Sequence, residues 1–295
     1  MKAGVIGLGA MGTGMARSLH RQQRLAGVWN RTGVKAKALA AELAVPAPVD
    51  PAALARQTPV VVTCVSRDDD LLAVVEALLP GLGPDSVLVD CSTVSVETAR
   101  RVAARLAGCG AAFLDAPVSG GREGAETGQL VFMVGGDEAV FQRLQPIFAA
   151  MGKAAVRMGP VGAGQATKAV NQVMAAGINQ AVSEALALGE ALGLDLDKVV
   201  DLLSGGAAGS WHLRNRGKGM ARGAFQPAGF RIALHHKDLE ICHGLAEDLG
   251  VTLPVVEMTL KHYQRLMDQG HGDDDISGLF RAKQALFRSG NRRQL

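Results

Sequence analysis

Ala3-Gly4-Val5-Ile6-Gly7-Leu8-Gly9-Ala10-Met11-Gly12 opens the chain as a short apolar strand running straight into a glycine pattern. A helix is expected next, from Met11 to His20, and Val28-Trp29 closes a second strand. Gly-x-Gly-x-x-Gly therefore stands in the strand–turn–helix setting that gives it meaning. The first glycine permits the tight turn, the second lets the backbone approach a pyrophosphate, and the third lets the helix pack on the strand. The helix start adds N–H groups and the positive end of its dipole. Gly7, Leu8, Gly9, Ala10, Met11 and Gly12 are thus candidate contacts for a dinucleotide.

Just beyond the second strand come Asn30, Arg31 and Thr32. NAD sites usually carry an acidic residue at this point to bind the ribose hydroxyls. Here the position is neutral and its neighbour is cationic. A carboxylate would repel the 2′-phosphate of NADP, whereas arginine can bind it through two hydrogen bonds and Thr32 can add a hydroxyl. These three residues favour NADP, with NAD the less favoured choice.

Strand and helix signals go on alternating. Asp50-Pro51 reads as a helix cap, Pro59 to Val65 as a buried strand, and Ser66 to Asp70 as a polar loop leading into a helix. Ser86 to Cys91 is a further strand, Ser95 caps a helix to Ala107, and Ala112–Leu114 is another strand. Gln129–Gly135 and Ala154–Met158 complete the set, with Asp137 capping the helix between them. This alternation predicts a Rossmann-type, doubly wound parallel sheet of the α/β class over residues 1–160. Ligands of such sheets lie at the carboxyl ends of the strands. That puts Val65, Ser66, Thr93 and the segment Asp115 to Ala125 near the cofactor. In the last of these, Ser119 offers a hydroxyl, and Gly120 and Gly121 expose N–H groups suited to a carboxylate.

The second half, residues 161–295, reads as an all-helical domain joined to the first by a long helix. Gly162-Ala163-Gly164-Gln165-Ala166-Thr167-Lys168-Ala169-Val170-Asn171-Gln172 starts an alanine-rich run without proline as far as Gly193. Lys168 and Asn171, three positions apart, share one face of it. A lone helical lysine is ordinarily solvated, but one that follows a nucleotide-binding half is a candidate proton donor. Asp195 can cap a helix to Leu203, a small-residue loop runs from Gly205 to Trp211, and helices are expected at Ile232–Leu249, Val255–Asp268 and Ile276–Phe287. His235 and His236 are adjacent, point to different helix faces and make a poor metal pair, so no metal site is expected. The tail from Arg288 is basic, polar and expected to be loose.

Composition narrows the function classes. The 295 residues are 48% hydrophobic, and 31 basic residues against 28 acidic leave a net charge of +3. Such balance argues against a nucleic-acid or membrane partner. Cys64, Cys91, Cys109 and Cys242 follow neither a zinc nor a redox spacing, as expected for reduced cytoplasmic thiols. No apolar run is long enough for a bilayer, and the N-terminus lacks the form of a signal peptide.

Together, Gly7–Gly12, Asp90-Cys91-Ser92-Thr93, Asp115–Gly121, Gly162–Gln172 and Lys237-Asp238-Leu239 resemble the β-hydroxyacid dehydrogenase family, and do so in order over nearly the whole chain. The resemblance implies interconversion of a small 3-hydroxy acid and its semialdehyde, with Lys168 as general acid/base. It implies Ser119, Gly120, Gly121 and Asn171 as contacts of the substrate carboxylate, and Thr93 beside substrate and nicotinamide. Lys237 is implied as a cofactor contact, and a homodimer or homotetramer as the assembly. Cys64-Val65-Ser66-Arg67 departs from the Leu-Pro or Ser-Asp loop of many members, and Arg122 falls at a variable position. Two other readings use the same architecture: an imine reductase, whose members usually carry another residue in place of Lys168, and a non-catalytic NADP-binding regulator. Tartronate, succinic and methylmalonate semialdehydes and glyoxylate all present a carboxylate near a carbonyl, and the sequence does not choose among them.

Overall fold

A computed structural model of the protein describes residues 1–289, and the chain divides into two compact units, Met1–Lys168 and a second that begins at Ala169. In the first, β1 (Ala3–Ile6), β2 (Leu25–Trp29), β3 (Val60–Thr63), β4 (Val87–Asp90) and β5 (Ala112–Asp115) run parallel in the order β2-β1-β3-β4-β5. The helices between them are α1 (Ala10–Arg21), α2 (Gly33–Leu43), α3 (Pro51–Ala55), α4 (Asp68–Leu78) and α5 (Val96–Ala107). Parallel strands are covered on both faces, so their residues are apolar except for Thr63, Asp90 and Asp115 at the carboxyl ends of β3, β4 and β5. Val60, Val62, Val87 and Val89 enter one core with Met15, Leu19 and Leu39, while Val61 and Leu88 enter the other with Leu54, Leu71 and Val102. The chain leaves β1 to one side for β2 and crosses to the other side for β3. That reversal opens a crevice at the carboxyl ends of β1 and β3.

The far edge departs from the all-parallel expectation. It holds β6 (Val118–Ser119), α6 (Gly121–Thr127), β7 (Leu130–Gly136), α7 (Glu138–Met151) and β8 (Gly152–Gly159). β7 runs antiparallel to β5 and β6, and β8 pairs with it in parallel. The segment Asp115–Ala125 therefore contains the end of β5, a short strand and the start of a helix. Val118 and Ser119 pair with Phe132 and Val131, and Gly120 (φ 124°) and Gly121 (φ 60°) turn the chain into α6. A second correction concerns Asp68, Asp69 and Asp70. They form the first turn of α4 and not a loop, because carboxylates are favoured at the positive end of a helix. The caps fall where expected: Asp50, Ser95, Asp137 and Asp195 each accept a backbone N–H at a helix start.

The second unit is helical. α8 (Ala163–Ala191) begins in the first unit and runs through the boundary, followed by α9 (Leu196–Leu203), α10 (Trp211–Ala221), α11 (Ile232–Asp248), α12 (Pro254–Asp268) and α13 (Leu279–Ser289). Among the described residues the strand-like pairing here is one bridge between Arg231 and Asp275. α10 has no counterpart in the sequence reading. Gly217 and Gly219 depress its helix propensity, yet a Cβ at Gly217 would come within 2.8 Å of Val200, so close packing demands the glycine. Two clusters fill this unit, one around Ala176, Leu239, Val256 and Tyr263, the other around Leu186, Val200, Leu213 and Met220. Among the described residues no helix is long and apolar enough to cross a membrane. The tail expected to be loose lies, from residue 290 on, outside the described residues.

Candidate active site

The glycine loop is shaped by close approach of backbone. Gly7 has φ 91° and a Cβ there would strike the Cys64 carbonyl, while a Cβ on Gly12 would strike the carbonyl of Gly7 itself. Gly9, in contrast, borders open space, with nothing within 4 Å of where its Cβ would sit. It caps α1 without any side-chain hydrogen bond. A side-chain-free cradle in front of an uncapped helix start suits a pyrophosphate, so the residues present fit a dinucleotide.

Asn30 Oδ1 accepts the Leu8 N–H at 2.9 Å, which fastens the glycine loop to the end of β2. Asn30 thus has a structural duty besides the ribose contact expected of it. Arg31 is 83% exposed, and its Nη1 lies 2.7 Å from Asp70 Oδ1 at the start of α4. Thr32 caps α2, and its side chain makes no capping bond.

At the ends of β3, β4 and β5 a buried polar network joins the loops that carry the remaining candidates. Asp90 Oδ1 accepts from Thr63 Oγ1 and Ser92 Oγ, each at 2.7 Å, and Ser92 Oγ in turn accepts the Val65 N–H at 2.8 Å. The other oxygen, Asp90 Oδ2, is buried with no hydrogen-bond partner. Burial pushes this carboxyl up to about 6 in spite of its donors. Asp115 holds the start of α8: its two carboxylate oxygens accept the N–H groups of Gly162 (2.8 Å) and Gln165 (2.9 Å). Burial raises this carboxyl too, and the two N–H groups work against the rise. Gln165 reaches back with its side chain, accepting from Val94 N–H (3.3 Å) and donating to Ser92 O (2.8 Å) on either side of Thr93. A Cβ at Gly164 would collide with Asp115, so the glycines of this motif serve contact between helix start and strand end.

Lys168 follows one turn after Gln165. It is buried, and Nζ donates to the carbonyl of Val118 at 2.9 Å, next in sequence to Ser119, Gly120 and Gly121. Ser119 and Thr93 are each half-buried, and Gly120 and Gly121 are exposed. The first unit thus brings the candidate acid to the candidate carboxylate-binding turn.

Within the second unit, Asn171 and Lys237 belong to one polar chain. Asn171 Nδ2 donates to Gln172 Oε1 (2.9 Å), Gln172 Nε2 to Asp238 Oδ2 (2.6 Å), and Asp238 Oδ1 pairs with Lys237 Nζ (2.9 Å). Lys237 is largely buried, unlike an ordinary surface lysine. Asp90, Asp115, Gln165, Gln172 and Asp70 were not singled out as site residues from sequence. Asp90, Asp115, Gln165 and Gln172 do lie inside the quoted motifs, but only the fold reveals which of their polar atoms meet.

Residues 2–161 match the family described as the NAD binding domain of 6-phosphogluconate dehydrogenase. Residues 162–282 match that described as NAD-binding of NADP-dependent 3-hydroxyisobutyrate dehydrogenase. The chain is 40% identical to an uncharacterized oxidoreductase of Shewanella frigidimarina, over 94% of this chain and 96% of that one. It is 39% identical to the 2-hydroxy-3-oxopropionate reductase of Escherichia coli over 68% of each. Among solved structures, the 3-hydroxyisobutyrate dehydrogenase of Salmonella typhimurium superposes with a TM-score of 0.86 at 29% identity, covering 96% of this chain and 99% of the other. With these likenesses running through both units, the chain belongs to the β-hydroxyacid dehydrogenase family, as an oxidoreductase that uses a pyridine nucleotide.

Proposed function

We propose that the protein is an NADPH-dependent reductase of small semialdehydes, with Lys168 as its general acid. The observation that carries this is the buried Lys168 side chain, whose Nζ donates to the Val118 carbonyl, one residue before the Ser119-Gly120-Gly121 turn. A bound nicotinamide supplies the hydride in reduction and accepts it in the reverse direction. The chain's own residues handle the proton and the carboxylate. Ser119 and the N–H groups of Gly120 and Gly121 bind the carboxylate, which does not react, with Asn171 as a further contact and Thr93 alongside. Lys168 donates to the substrate oxygen as it gains charge, and stabilises that charge before the proton moves. In the reducing direction Lys168 gives up the proton, and in the reverse direction the same group takes it. Gly7 to Gly12 cradle the pyrophosphate, Asn30, Arg31 and Thr32 bind the phosphorylated ribose, and Val65, Ser66 and Lys237 complete the cofactor contacts. The name of the Escherichia coli relative supports a three-carbon 3-oxo acid as the substrate class.

The test is oxidation of NADPH with tartronate, succinic and methylmalonate semialdehydes and glyoxylate, beside a set of cyclic imines. Turnover of at least one semialdehyde supports the proposal. Turnover of imines alone would replace it with imine reduction, and NADPH binding without any turnover would make the protein a regulator.

A further inference from the structure

The ion pair between Arg31 and Asp70 bears on cofactor choice. Asp70 is the third residue of α4, in a first turn made wholly of aspartates. Asp68 is directed elsewhere, its Oδ2 accepting from both the N–H (3.0 Å) and the Oγ (2.6 Å) of Ser95. Asp70 instead reaches the end of β2, where Arg31 Nη1 donates to it at 2.7 Å. This is the strand end beside which the adenosine ribose lies in such folds. Arg31 is 83% exposed while Asp70 is only 24% exposed, so the carboxylate is the better anchored partner and the guanidinium the one that can turn away.

We infer that Asp70 is a specificity-determining residue: it competes with the ribose 2′-phosphate for Arg31 and holds down the preference for NADPH over NADH. The inference rests on the reading of Arg31 as the phosphate contact. Asp70 engages the guanidinium through Nη1 alone, so a phosphate dianion that takes Nη1 as one of its paired N–H groups must displace the carboxylate from it. NADH brings no such phosphate and leaves the pair as it is. An exposed ion pair is weak, so the phosphate prevails, but at reduced affinity. The strength of exposed pairs sets the penalty at about two- to fivefold in Kd.

Fluorescence titration of NADPH and NADH with wild type, Asp70→Asn, Arg31→Ala and the double variant tests this, with Asp69→Asn as a control that removes a neighbouring charge. Asp70→Asn should tighten NADPH by about two- to fivefold, with the gain shrinking as salt rises, and leave NADH unchanged. In the Arg31→Ala background the same substitution should change nothing, and Asp69→Asn should have no effect. Should the Asn variant fold poorly, Asp70→Ser removes the same charge and keeps a polar residue at the helix start. If Arg31→Ala weakens NADPH alone but neither Asp70 variant tightens it, the competition is refuted and the Arg31 reading survives. An equal gain from Asp70→Asn without Arg31 would also refute it, since direct repulsion would then explain the effect. An unchanged NADPH/NADH ratio in Arg31→Ala would bring down the underlying reading.

Discussion

Replacing Asp90 by Asn should change how the protein's stability depends on pH. The carboxyl is fully buried, with three hydrogen-bond contacts on Oδ1, from Thr63 and Ser92, and none on Oδ2. Its folded value is raised from 3.8 to about 6 by burial. Below the unfolded value both states hold the proton, and the group's contribution to stability is fully present. As pH rises through the folded value that contribution is lost, because folding then encloses a carboxylate that the unfolded chain would hydrate. The displacement from 3.8 to about 6 is worth about 3 kcal/mol in all. Of this, linkage leaves about 1.4 kcal/mol still to be lost between pH 5 and pH 8. Asn is nearly isosteric, keeps an acceptor for Thr63 and Ser92, and does not titrate. Denaturant unfolding of wild type and Asp90→Asn at constant ionic strength should show the variant gaining on wild type by that amount between pH 5 and pH 8. A difference between the two proteins that stayed flat within ~0.4 kcal/mol over that range would refute the reasoning.

Lys168→Ala should lower kcat by roughly two to four decades and leave NADPH binding intact; a variant keeping more than about a tenth of wild-type kcat would remove Lys168 as the acid. Ser119→Ala should raise KM for the carboxylate substrate more than it lowers kcat, and a loss of NADPH affinity at normal KM would contradict the assignment. Arg31→Ala should weaken NADPH by about one to two decades and hardly touch NADH. Asn30→Asp should push the kcat/KM ratio further toward NADH, since the new carboxylate can still accept the Leu8 N–H while repelling a 2′-phosphate. Gly12→Ala should cost about 1–3 kcal/mol, read as a lower Tm, because its methyl would meet the Gly7 carbonyl; an unchanged Tm would mean that the loop gives way.

Strands, long helices and caps were legible because each rests on local chemistry: β-branched runs at Val60–Thr63, alanine over Ala163–Ala191, a carboxylate or hydroxyl at Asp50, Ser95, Asp137 and Asp195. α10 was not, because Gly217, which close packing on Val200 requires, looks locally like a breaker, and α6 was not, because Gly121 and Gly124 depress its local helix propensity. Of the site, the glycine cradle and the companions of Lys168 could be read from motif order. The partners of buried polar atoms could not. Asp115 gives no local sign that it will hold the amides of Gly162 and Gln165, residues 47 and 50 positions away, and nothing near Arg31 announces Asp70 across 39. Such pairings exist only once strand ends have been brought abreast.

The stitching of the first turn of α8 to Asp115, and through Gln165 to the loop around Thr93, bears on how such a protein can be inherited in parts. The proposed acid, its Val118 anchor, the proposed carboxylate-binding turn and the proposed dinucleotide cradle all lie between Gly7 and Lys168. An exchange of genetic material joining a different helical segment after Lys168 would carry proton donor and cofactor cradle across as one inheritance. What it would replace is the chain from Asn171 through Gln172 and Asp238 to Lys237. On the proposed roles, such an exchange would renew the Asn171 and Lys237 contacts while Thr93, Ser119, Gly120 and Gly121 stayed with Lys168.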